Sequence, residues 1–218
     1  MSEKDVVRPV EDFGKDLGLV HEVVVTGRKV GAGRDFWARL AHDEAFFRRV
    51  VELDAPQAAL LQLVGTISVP AMPKLGKVRD LFVVNTKEDA RCKISYVRQN
   101  FHAWFDEMDV LAFAGSTLCC QTLMRNACDS DILQALGGEV KAETNLAEIY
   151  WLMEQQRNGG DGIPLADGRA NIFYVRDKNR VLRAVCIRCF DDGWSVFTDG
   201  VGRDSWHSVG RVFSRSPR

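Results

Sequence analysis

The sequence predicts an α+β protein, with a mixed N-terminal region followed by a C-terminal helix and a three-stranded antiparallel meander. Three observations carry that expectation. Leu146, Ile149, Tyr150 and Met153 fall at helical spacing behind Asn145 and Glu148, a pair with the spacing of a capping box. Three β-rich runs follow at 170–176, 181–190 and 194–198, separated by Asp177-Lys178-Asn179 and by Asp191-Asp192-Gly193, where Asp-Gly is a hairpin signal. Upstream, helical and strand-like patterns mix without an internal repeat or low-complexity tract. Gly137-Gly138 marks the expected boundary, giving residues 1–138 as the mixed α/β region and 139–218 as the helix-plus-meander module.

The N-terminal elements read as follows. His21 to Thr26 is β-branched and reads as a short strand, and the glycine-rich 27–34 as a turn; Asp35 then caps a helix running to about Leu53, with Phe36, Trp37, Leu40, Phe47 and Val50 on one face. Asp54, Pro56 and Gly65 bracket a second helix, Gln57 to Val64. Pro70, Pro73 and Gly76 make 68–76 irregular; Val78 to Val84 and Cys92 to Val97 read as paired antiparallel strands. Asn100 to Met108 is helical, Gly115 to Ala127 is open between helix and strand, and Asp129 or Ser130 caps a helix stopped by Gly137-Gly138.

At 218 residues, 46% hydrophobic and 27% charged, the chain has the composition of a folded soluble protein. The first 18 residues carry Glu3, Lys4, Asp5, Arg8, Glu11, Asp12, Lys15 and Asp16, which excludes a signal-peptide core there, and no run of about 18 apolar residues occurs. A cytoplasmic protein with no membrane partner is expected. Cys92, Cys119, Cys120, Cys128, Cys186 and Cys189 are irregularly spaced and read as reduced, buried thiols.

Most motifs fail on geometry. Gly27, Gly31 and Gly33 match no phosphate-loop spacing, and Asp35 would repel an anion from the helix start. Cys186 and Cys189 lie three residues apart in a predicted strand, on opposite faces roughly 10 Å apart, too far for one metal ion. Asp129-Ser130-Asp131 reads as a helix cap, and His42-Asp43-Glu44 as a solvated face. No metal, cofactor or catalytic residue is assigned. A Cys/His hydrolase or transferase built from His102, Asp106 and Cys119, Cys120 or Cys128 remains an alternative.

Charge is uneven. Residues 171–218 hold nine Arg and Lys against five Asp, leaving 20 basic and 25 acidic residues upstream. Arg176, Lys178, Arg180, Arg183, Arg188, Arg203, Arg211, Arg215 and Arg218 are interleaved with Tyr174, Trp194, Phe197, Trp206 and His207, a composition that holds phosphates and stacks bases. The expected function is non-enzymatic binding of a protein or nucleic-acid partner through Arg203, Trp206, His207, Arg211 and Arg215, with a dedicated nucleic-acid binder as the alternative.

The segments NLAEIYWLMEQQ, GDGIPLADGRANIFYVRD, VLRAV, DDGWSV and GRVFSR, together with VGAGRDFWARLAHDEAFFRRVVEL, resemble an uncharacterised family of proteins encoded by uncultured candidate-phylum bacteria. The resemblance covers about half the chain and implies a small bacterial cytoplasmic protein. It brings no activity, cofactor or site residue.

Overall fold

The computed structural model describes residues 13–47, 50, 59–156, 162–202 and 205–215. Contacts divide the chain into two units, Met1–Gln57 and Ala58–Arg218. The expected boundary at Gly137-Gly138 falls inside the second unit. Both glycines adopt left-handed backbone, φ 84° and 101°, so the pair is a tight stop between two helices. Sequence cannot tell such a stop from a linker, because both favour glycine.

In the N-terminal unit, α1 (Phe13–Lys29) turns through Gly31 into α2 (Arg34–His42). His21 to Thr26, expected as a strand, lies in the second half of α1. Its β-branched residues disfavour helix only by tenths of a kcal/mol each, about what one continuing hydrogen-bonded turn outweighs. Gly33, not Asp35, occupies the N-cap of α2, with Asp35 in its first turn. Trp37 donates its indole N–H to the Ala32 carbonyl at 3.2 Å. Its ring lies against Gly27, where an added Cβ would come within 2.3 Å. No side chain from His21 to Phe47 is buried. The end of the helix expected to reach Leu53 lies outside the described residues.

In the second unit a seven-stranded sheet runs in the order β1-β5-β11-β7-β8-β9-β3, from β1 (Leu61–Val69), β3 (Ile94–Val97), β5 (Ser116–Leu123), β7 (Asn171–Arg176), β8 (Leu182–Phe190), β9 (Gly193–Gly200) and β11 (Arg211–Arg215). β7, β8 and β9 pair antiparallel in sequence order. They form the interior of a mixed sheet, because β11 joins β7 and β3 joins β9, both in parallel. Two ribbons accompany it, β2 (Gly76–Lys77) with β4 (Asp109–Val110), and β6 (Ala127–Cys128) with β10 (Ser205–Trp206).

Two expectations upstream are corrected. Of the helix read over 57–64, residues 57 and 58 lie outside the described residues and 61–64 belong to β1, and Gly65, expected as a helix stop, sits at a register irregularity inside that strand. Such a glycine marks a bulge as readily as a helix end. Val78 to Val84 is not a strand: Val78–Leu81 is the short helix α3, closed by Phe82 N–H donating to the Val78 carbonyl at 2.9 Å. Val78 and Phe82 are both fully buried, an i, i+4 pair that alternation had hidden.

Helices cover each face according to strand parity. Over the first face lie α4 (Gln99–Phe105) and α7 (Leu146–Gln155), packing Phe101, Phe105, Ile149 and Met153 on Phe173, Val185, Ile187 and Phe213. The capping box forms as expected, with Asn145 Oδ1 accepting the Glu148 N–H at 2.9 Å and Glu148 Oε2 accepting the Asn145 N–H at 2.7 Å. Over the second face, α5 (Asp129–Leu136), α6 (Glu139–Ala142) and Trp206 pack on Ile172, Tyr174, Ala184, Cys186 and Val212. Cys186 and Cys189 fall in opposite cores, as the period of two requires. Among the described residues, no helix is long and apolar enough to cross a membrane.

Candidate functional site

Of the five residues expected to form one binding surface, the four that are described do not share one face. Arg203 lies outside the described residues. Trp206 is buried, and its indole N–H donates to Asp129 Oδ1 at 2.7 Å. Arg211 and Arg215 share the parity of Phe213, in the first core, whereas Val212 faces the second. Arg215 Nε stands 3.6 Å from the fully buried Glu148 carboxylate, which also accepts the Ser116 hydroxyl at 2.6 Å. Only His207 stays exposed on the side of Trp206. Interleaving in sequence had been read as adjacency in space, and the sheet places alternate residues on opposite sides.

The aspartate read as a helix cap has a different task. Cys128 occupies the N-cap of α5, and Asp129 turns inward, 1% exposed. It accepts the Tyr174 hydroxyl at 2.8 Å and the Gly202 amide at 2.8 Å as well as Trp206. Burial first, and then the Asp129 charge, push the Tyr174 phenol well above its ordinary range, so it stays a donor. Three donors converge on this carboxylate and tie Tyr174, Gly202 and Trp206 to the start of α5.

The alternative Cys/His site does not assemble. His102 pairs with Asp106 at 3.0 Å on α4, which packs on β9. β8, β7 and β11 separate β9 from the cysteines of β5, a distance of about 19 Å at about 4.8 Å per strand. Burial also pushes the Cys92 and Cys120 thiols up to about 12 and Cys186 to about 11, which keeps them from the nucleophilic thiolate form at neutral pH. Cys128 contacts Ser130 and Asp131, on the face opposite α4. Among the described residues, no group of three or more His, Cys, Asp or Glu is placed to hold a metal ion.

What the structure does bring together, within the second unit, is the end of the second face that no described helix of that unit covers, where β8, β9 and β3 meet. Tyr96 on β3 and Phe197 on β9 lie with ring centroids 5.4 Å apart, and Tyr96 is 46% exposed. Arg188 on β8 holds its guanidinium 5.9 Å from the Phe197 centroid. Among the described residues it has no carboxylate partner. Its parity with Ala184 and Cys186 sends it to this face, whereas Arg183, five residues earlier, goes to the other, pairs with Asp177 at 2.8 Å and lies 3.9 Å over the Trp104 ring. Arg98, just past β3, pairs with Asp199 at 2.6 Å.

A cavity of about 250 Å³ opens here, lined by Arg98, Cys186, Arg188, Phe197, Asp199 and Trp206 among others. A second, of about 320 Å³, lies beside it, with Arg169, Ser205 and His207 on its walls. Arg188 and Trp206 line both. In the cavity of about 270 Å³ near Asn145, Arg176 pairs with Glu139 and Glu143, and Asp177 with Arg183, while Arg180 also lines the wall. In a wider depression of about 1190 Å³, Arg215 is held by Glu148.

Arg188 and Phe197 belong to the basic, aromatic tract read from the sequence. Tyr96 and Arg98 do not, since they reach the site through the parallel pairing of β3 with β9, which joins segments about a hundred residues apart and leaves no local signal. No family model, curated protein or solved structure matches this chain.

Proposed function

We propose that the protein is a non-enzymatic nucleotide binder, holding a base on the Tyr96–Phe197 platform and its phosphate on Arg188. Aromatic rings on an open sheet face offer the flat apolar surface that bases stack on. A guanidinium beside them offers a fork of donors to phosphate oxygens. One observation carries the reading: Arg188 is half-buried over an aromatic ring and has no carboxylate among the described residues to satisfy it. Arg98 is already paired with Asp199, so of these two guanidiniums Arg188 is the one that no described carboxylate engages.

The test is a titration of isotope-labelled protein with adenosine and uridine monophosphates, followed by amide chemical shifts. Shifts are expected on β3, β8 and β9 around Tyr96, Arg188 and Phe197. Tyr96→Ala should weaken binding by about 5- to 150-fold, the equivalent of about 1–3 kcal/mol of stacking. Absence of shifts on those strands at millimolar nucleotide overturns the reading.

A further inference from the structure

Resting on that nucleotide reading, we infer that the ligand is a single-stranded nucleic acid, threaded from the Tyr96–Phe197 platform past Arg188 into the second depression beside His207. The two cavities are about 250 Å³ and 320 Å³, each near the lower end of the roughly 300–1,000 Å³ typical of small-ligand sites. A mononucleotide fills one and leaves the other empty. Because Arg188 and Trp206 line both, the depressions adjoin at a cationic side chain and a rigid wall. That wall is fixed, since Asp129 holds the Trp206 indole at 2.7 Å. A chain whose phosphates alternate with bases places a phosphate at such a junction when bases lie on either side.

The second depression has the chemistry for a second nucleotide. His207 is exposed at its edge and presents a flat ring. Arg169, whose charge Asp167 already balances, lines it as a planar guanidinium that a base can stack on, not as an uncompensated charge. Ser205 and Ser208 bring hydroxyls. A duplex does not fit the scheme, because its bases present no free face to Tyr96.

The experiment compares, on the full chain, a mononucleotide, a single-stranded tetranucleotide of the same base in RNA and DNA forms, and a short inorganic polyphosphate. Three proteins are used: wild type, Tyr96→Ala and the double variant Arg169→Ala/His207→Ala, whose two side chains lie at the surface. The tetranucleotide should bind wild type at least tenfold tighter than the mononucleotide. The double variant should lose most of that gain while binding the mononucleotide as wild type does, and Tyr96→Ala should weaken both. If mono- and tetranucleotide bind equally, each depending on Tyr96, the nucleotide reading stands and the strand inference falls. Polyphosphate binding as tight as the tetranucleotide, insensitive to Tyr96→Ala, overturns the inference as binding by charge alone. No binding of any nucleotide overturns both.

Discussion

The covered and the open ends of the second sheet face use the same residue types to opposite ends. Under the cover, Trp206 and Asp129 are 8% and 1% exposed, and every donor aimed at the carboxylate is accounted for. At the open end, Tyr96 is 46% exposed and Arg188 meets an aromatic ring but no carboxylate among the described residues. An aromatic and charged composition therefore does not locate a binding surface. What locates it is which charged groups have no counter-charge among the described residues, since a group already paired gains little from a ligand.

The largest expected effect lies under the cover. Asp129→Ala strands the buried Tyr174 hydroxyl and Trp206 indole N–H, each worth about 1–3 kcal/mol without an acceptor, so chemical denaturation should show a loss of at least about 2 kcal/mol. Trp206→Ala should cost about 3–5 kcal/mol through the cavity left in the core. A loss below about 1 kcal/mol for both would mean that water reaches this region freely, and the contrast between the two ends would break.

The two arginines of β8 sharpen the contrast on a single strand. Arg183→Ala removes the partner of Asp177, a carboxylate with no exposed side-chain surface, and should cost about 3–5 kcal/mol. Arg188→Ala should cost less than about 1 kcal/mol of stability and act on ligand binding instead. The pair also predicts a pH signature. Burial alone would raise the Asp177 carboxyl, but the Val181 and Asn179 amides and the Arg183 guanidinium hold it below the usual carboxylate range. A folded value below the unfolded one of about 3.9 means its contribution is present above about pH 4 and lost as pH falls through the folded value. Asp177→Asn should flatten the stability curve in that acid window, as measured by urea midpoints at several pH values.

Legibility followed the range of the interaction. The capping box at Asn145 and Glu148, the helix stop at Gly137 and the hairpin at Asp191-Asp192-Gly193 are all set within a few residues, and each formed. At that hairpin Gly193 has φ 127° and passes so near the Lys93 carbonyl that a Cβ would come within 2.8 Å, a close approach no local pattern announces. The divergence of Cys186 and Cys189 was legible because parity needs only the strand. Parity also held the answer for Arg211 and Arg215, but their faces become meaningful only once Val212 and Phe213 are assigned to separate cores. Tyr96 needed the parallel pairing of β3 with β9, and Asp129 needed tertiary donors from residues 174, 202 and 206. Neither leaves a trace within one helix or strand length.

The smallest expected effect tests whether the sheet itself separates the two arginine sets. Each phosphate neutralised on a single strand adds about 0.7 to the slope of log K against log salt. Arg188→Ala should therefore flatten that slope by about 0.7 in oligonucleotide titrations at several salt concentrations, because Arg188 stands at the junction of both depressions. Arg211 belongs to the same basic tract, yet strand parity turns it to the first face, where its charge acts on the Cys120 thiol. With the sheet between it and the ligand, and exposed charges screened over about 8 Å at physiological salt, Arg211→Ala should change affinity by less than about twofold and leave the slope unaltered. An equal flattening by both variants would show the strand wrapping around the sheet edge, and then the two faces would have to be counted as one surface.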